Sequence, residues 1–137
     1  MARNFTIVQD FGLRVRLKNG SSALSEGDMV YIDSNGLLAE VADNNTTGAV
    51  GVCCEDIAAG EYGWVYIDGI FKGQAASGVD FSIGDPVYTA SASTLDAGST
   101  NDVPVGVVVH TDPSSGGTVY FRLWSQLVGN SAFAAHS

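Results

Sequence analysis

Gly27-Asp28-Met29-Val30-Tyr31 returns 57 residues later as Gly84-Asp85-Pro86-Val87-Tyr88, and nothing else in the chain restricts its fold as much. Gly51-Val52 returns as Gly106-Val107 after 55 residues, and Gly63-Trp64-Val65-Tyr66 as Gly117-Thr118-Val119-Tyr120 after 54. The order is kept, and the offset drifts only as loops shorten. Each unit then holds a strand opened by Gly-Asp, a Gly-Val strand and a strand carrying Val-Tyr. One such unit has two open edges and an uncovered apolar face, whereas two units can cover each other. The expected fold is all-β, a small barrel or sandwich built from two similar three-stranded units with an extended N-terminal arm.

Period-two alternation is clearest at Leu13, Val15 and Leu17, which share one strand face while Arg14, Arg16 and Lys18 take the other. Further strands are expected at Met29–Asp33, Leu37–Val41, Val50–Glu55, Trp64–Phe71, Pro86–Thr89, Val103–His110 and Val119–Trp124, each bounded by Gly, Asn, Asp or Ser clusters. The best helical candidates, Lys72–Gly78 and Trp124–Val128, are too short for more than a turn. The chain divides into residues 1–20, an arm or first strand; 21–124, the two-repeat domain with units 27–71 and 84–124; and 125–137, a C-terminal tail.

A chain of 137 residues, 45% hydrophobic and 15% charged, is apolar enough to build a core. Its formal charge of -9 opposes contact with a phosphate backbone, which argues against a nucleic-acid partner. Arg3, Arg14, Arg16 and Lys18 nevertheless gather near the start, leaving only Lys72 and Arg122 beyond them. Cys53 and Cys54 are adjacent and so poorly placed to bond each other, which fits a reducing compartment. Asp10, Arg14 and Arg16 interrupt any signal-peptide core, and the run from Val103 to Val109 is too short to span a bilayer. Synthesis in a cytoplasm and no membrane partner are expected.

The Gly-Asp-x-Val-Tyr opening, Val50-Gly51-Val52, Ala59-Gly60-Glu61, the Val65–Phe71 strand and the second Gly-Asp-Pro-Val-Tyr together resemble the capsid cement, or head decoration, proteins of tailed phages. The resemblance runs from about Gly27 to Leu123; nothing after Trp124 matches, and Cys53-Cys54 stands where small or acidic residues are usual. It implies a small β protein on the outer surface of an icosahedral head, a homotrimer that binds the major capsid protein and stabilises contacts between its subunits.

Candidate chemistry is sparse. Nucleophilic catalysis needs a base beside a serine or cysteine, and the histidines are His110, after an apolar strand, and His136, near the terminus. No Gly-Lys pair exists to form a phosphate-binding loop. Asp43-Asn44-Asn45-Thr46-Thr47-Gly48 imitates the first half of a calcium loop, but Cys54 occupies the twelfth position, where a carboxylate belongs. Asp28 and Asp85 follow glycine at equivalent strand starts and are read as turn residues accepting backbone amides. No enzyme activity, cofactor or metal is expected.

Two surface assignments follow. Residues 1–18 are read as an arm that engages the capsid by strand addition, with Phe5 and Ile7 filling pockets and Arg14, Arg16 and Lys18 meeting acidic residues. The alternative is that Leu13–Leu17 is a strand of the chain's own barrel. Trp64, Val65, Ile67 and Ile70, placed on one strand, are assigned to the trimer interface. A rival function is a small ligand- or carbohydrate-binding β module of a virion, using Trp64, Tyr66, Tyr120 and Trp124.

Overall fold

In the computed structural model, which describes residues 5–42, 47–97, 103–112 and 117–127, the described residues form eleven strands and no helix. They are β1 (Thr6–Asp10), β2 (Arg14–Lys18), β3 (Met29–Ile32), β4 (Leu38–Glu40), β5 (Gly51–Cys53), β6 (Tyr62–Tyr66), β7 (Gly69–Ala75), β8 (Pro86–Thr89), β9 (Thr94–Asp96), β10 (Gly106–Asp112) and β11 (Thr118–Leu123). One sheet runs β1-β7-β11-β10-β8-β9 and closes on itself because β9 also pairs, in parallel, with β7. The other runs β2-β6-β5-β3-β4.

Removing β1 from the first list leaves the same order in both: β2, β6, β5, β3, β4 correspond one to one with β7, β11, β10, β8, β9. The repeat unit is therefore five strands, not three. β4 falls within the expected strand Leu37–Val41, but its counterpart β9, three residues long, lies outside the expected strands, and β2 and β7 share no motif, so neither pair shows in the echo. Closure repeats as well. Gly20 N donates to Leu38 O at 3.2 Å beside a single parallel bridge from Asn19 to Leu38, as Ala76 N donates to Leu95 O at 2.7 Å beside the β7–β9 pairing.

The Gly-Asp echo is one turn built twice. Gly27 and Gly84 hold positive φ of 89° and 92°, and the Asp28 and Asp85 carboxylates each accept the amide three residues earlier, Ser25 and Ser82, at 2.8 Å. This is the amide-accepting role expected of the two aspartates. The Gly51 and Gly106 echo has a steric cause: a Cβ there would lie 1.9 Å from Tyr66 O and 2.3 Å from Arg122 O respectively. That contact also corrects the register of the third motif. Val52 pairs with Tyr66 as Val107 pairs with Arg122, so Tyr66 corresponds to Arg122 and not to Tyr120. The slip is two residues, which preserves the face.

The expected single strand Trp64–Phe71 is two. Gly69, at φ 143°, and the buried Asp68 mark the point where the chain leaves one barrel for the other, and Asp68 Oδ1 accepts the Gly69 amide at 2.8 Å while its carboxylate holds Arg122. Lys72–Ala75, read as part of a helical turn, belongs to β7.

Two apolar clusters result. Leu24, Val30, Leu38, Val50, Cys53, Ile57 and Val65 fill the first barrel. The second barrel is filled around Phe71, Phe121, Val87 and Leu95, and Met29, Ala49 and Val52 of the first unit join that cluster from outside. Met29 and Val30, like Val52 and Cys53, thus point to opposite cores, so β3 and β5 are buried on both faces and read as continuous apolar runs. The N-terminus is part of this packing. Phe5 is 3% exposed, its ring edge-on to Phe121 at 5.5 Å, and its amide donates to Gly27 O at 3.0 Å.

Candidate functional site: a cationic and aromatic sheet face

β2 and β6 pair as Arg14↔Tyr66, Val15↔Val65, Arg16↔Trp64, Leu17↔Gly63 and Lys18↔Tyr62. Period two then sends Val15, Leu17 and Val65 toward the first barrel's core and sets Arg14, Arg16, Lys18, Tyr62, Trp64 and Tyr66 on the opposite face. Three of the chain's six positive charges sit there beside three aromatic rings. Tyr62 is 56% exposed and Trp64 45%, and the three basic side chains are exposed. Arg14 lies over the Tyr66 ring at 5.1 Å and Arg16 over the Tyr62 ring at 5.5 Å, both within cation–π range. Arg14 also bonds Asp10, whose carboxyl is kept below the usual range first by the Gly12 amide and then by Arg14.

Tyr66 closes the inner margin of this face. Its ring meets Phe71 at 5.7 Å, and burial raises its hydroxyl pKa. Glu55 accepts the Trp64 amide at 2.9 Å at the middle of β6. Tyr62 escaped the sequence reading, although its alternation with Trp64 and Tyr66 was the available signal.

The other expected site residues separate. Phe5 is inside the second barrel's cluster and fills no external pocket, because β1 completes an edge of β7 and its ring covers Gly73. Ile7 packs half-buried against the same cluster. Residues 6–10 and 14–18 are thus strands of the two sheets, with Phe5 packed in the core ahead of them, and they do not form a free arm. Trp64 and Ile70 belong to different sheets; Val65 at 0% and Ile67 at 9% exposure are interior, and Ile70 is half-buried. The four do not form one strand face.

His110 lies within β10, exposed, with its ring 5.2 Å from Tyr120. Burial pushes the Cys53 thiol up to about 12 and the Cys54 thiol to about 11, far from a nucleophilic thiolate. Among the described residues, no group of three or more His, Cys, Asp or Glu is placed to hold a metal. Residues 43–46 of the calcium-like segment, His136 and the tail from 128 lie outside the described residues.

A surface of exposed tyrosine, tryptophan and arginine is the composition of a protein-binding hot spot. Residues 8–123 match the phage cement protein family. The chain belongs to that family. It is accordingly a structural component of the phage virion, associated with the capsid. The fold is similar to a solved structure, the N base of head fiber gp8.5 in bacteriophage phi29, with a TM-score of 0.54 at 17% identity, covering 81% of this chain and 94% of that one. At that identity the likeness is one of fold. No curated protein matches the chain. The cement match begins at Val8 and so takes in both β2 and β6.

Proposed function

We propose that this cement-family protein binds the outside of the head and strengthens contacts between major capsid subunits, and that the β2–β6 face meets them. One observation carries the reading: a chain with formal charge -9 places half of its positive charge on a single exposed face with Tyr62 and Trp64. Such a face favours an acidic or polar protein surface; aromatic rings supply contact area at low entropic cost, and the guanidinium groups supply steering and paired hydrogen bonds. Homotrimer formation is included in this reading, supported by the sequence resemblance, with the half-buried Ile70, which lies off the β2–β6 face, as a contributor. A trimer touching several subunits raises the effective concentration of each later contact, so modest single interfaces give tight retention.

The test is binding to heads assembled without this protein. Trp64→Ala removes a central anchor and is expected to weaken binding about thirtyfold, the ~2 kcal/mol of a hot-spot residue. Arg16→Glu with Lys18→Glu weakens it further and flattens its salt dependence. Undiminished retention of both variants refutes this assignment of the face.

A further inference from the structure

The two barrels differ at one edge. β2 and β7 are equivalent strands: Arg14 lies opposite Tyr66 as Ile70 lies opposite Arg122, and Asn19 N donates to Glu61 O at 2.8 Å as Ala75 N donates to Gly117 O at 2.8 Å. The second side of β7 is filled along its length. Ile70 and Lys72 pair with Gln9 and Thr6 of β1, and Gln74 and Ala75 with Thr94 and Leu95 of β9. On β2 only the far end is covered, by Leu38 against Asn19 and Gly20. Along Arg14–Leu17 that side has no strand partner among the described residues, since β2 is the last strand of its sheet.

The main-chain groups there face outward. Asn19 N bonds Glu61 O and Ile67 N bonds Leu13 O at 3.1 Å. Alternation along an antiparallel ladder then assigns Leu13, Val15, Leu17 and Asn19 to β6, and directs the amides and carbonyls of Arg14 and Arg16 to the open side. The side chains carry the same asymmetry. Phe71, fully buried, has Ile7 of β1 beside it, whereas the equivalent Val15 stays half-buried, as does Leu17. Leu17 stands at the position of Gly73, where the Phe5 ring enters, so the first barrel has filled its own gap and lacks only a covering strand.

We propose that the Arg14–Leu17 edge accepts an extended segment of a capsid subunit as an added strand, antiparallel to β2, in the position β1 holds on β7. The inference rests on the capsid-binding reading above. The alternating environment states the partner's chemistry: apolar side chains over Val15 and Leu17, carboxylates beside Arg14 and Arg16. A second copy's β2 is a poor occupant, because antiparallel pairing of two such strands sets Arg14, Arg16 and Lys18 against their own kind. β1 of another copy is already engaged with its own β7.

Proline at position 16 removes an amide that bonds nothing in β6 and is tolerated on edge strands. Arg16→Pro is compared with Arg16→Ala, which removes the same charge and keeps the amide, for retention on heads assembled without the protein. Backbone hydrogen exchange of the wild type, free and on heads, is followed in parallel at Arg14 and Arg16. The expected result is that Arg16→Pro binds about tenfold or more weakly than Arg16→Ala, the worth of one lost charge-free hydrogen bond and its strand register, while both amides exchange at least tenfold more slowly on heads. Equal binding of the two variants with unprotected amides overturns the edge proposal and leaves capsid binding standing. Should Arg16→Pro fail to fold, unprotected wild-type amides alone overturn it. Wild-type protein that never binds heads overturns both readings. Loss of self-association by Arg16→Pro, with head binding kept, overturns the choice of occupant.

Discussion

Replacing Phe5 by alanine separates a docked N-terminal strand from a loose arm. The ring is 3% exposed, stands edge-on to Phe121 and occupies space that Gly73 leaves open. Truncating a buried phenylalanine costs about 3–5 kcal/mol in transfer and cavity terms. At roughly 3 °C per kcal/mol for a domain near this size, a cost of about 4 kcal/mol lowers Tm by about 12 °C. Gly73 makes the test specific. A Cβ at that position would lie 2.5 Å from Phe5 Cε1 and 2.6 Å from Cδ1, so Gly73→Ala alone should destabilise by about 1–3 kcal/mol through overpacking. In the Phe5→Ala background the new methyl enters the cavity instead, and the double variant should be more stable than the sum of the singles by about 1–2 kcal/mol. Urea melts of the four proteins give the cycle. An unchanged Phe5→Ala melt, or strict additivity, refutes the packing of β1 against β7.

Deleting residues 2–9, harmless if they were an arm, removes most of β1 and should destabilise at least as much as Phe5→Ala, read by the same melts. Gly51→Ala and Gly106→Ala should each cost about 3 kcal/mol or more, because the obstructing atoms are the main-chain carbonyls of Tyr66 and Arg122, which cannot rotate away; a fully stable variant in either barrel contradicts the shared constraint. Since burial raises the Cys53 thiol from 9.0 to about 12, its contribution is intact below pH 9 and lost as pH rises toward 12; Cys53→Ala should flatten that alkaline fall relative to wild type. Neither native thiol should be alkylated appreciably at pH 8, checked by mass spectrometry with the unfolded chain as the reactive control.

The strand class, the duplication and the two Gly-Asp turns were legible in the sequence because each is a local matter. Alternation sets faces, glycine permits the positive φ of Gly27 and Gly84, and the aspartate accepts an amide three residues away. The basic face of β2 was legible for the same reason: Arg14, Arg16 and Lys18 are two residues apart. What joins them to Tyr62 and Trp64 is a ladder spanning more than forty residues of chain, and no spacing along the sequence expresses it. Phe5 shows the limit most plainly. A terminal aromatic before an alternating segment suits an arm and a core strand equally well, and the decision rests on Gly73, an absent side chain 68 positions away that makes the space the ring fills. Likewise Trp64–Phe71 carries one unbroken β pattern, yet Val65 and Phe71 serve different cores, because the chain must cross between barrels somewhere and does so at Asp68 and Gly69. Local chemistry determined which residues are strands; closure of two barrels, a global condition on edges, decided which strands are neighbours and which edge of β2 is left open.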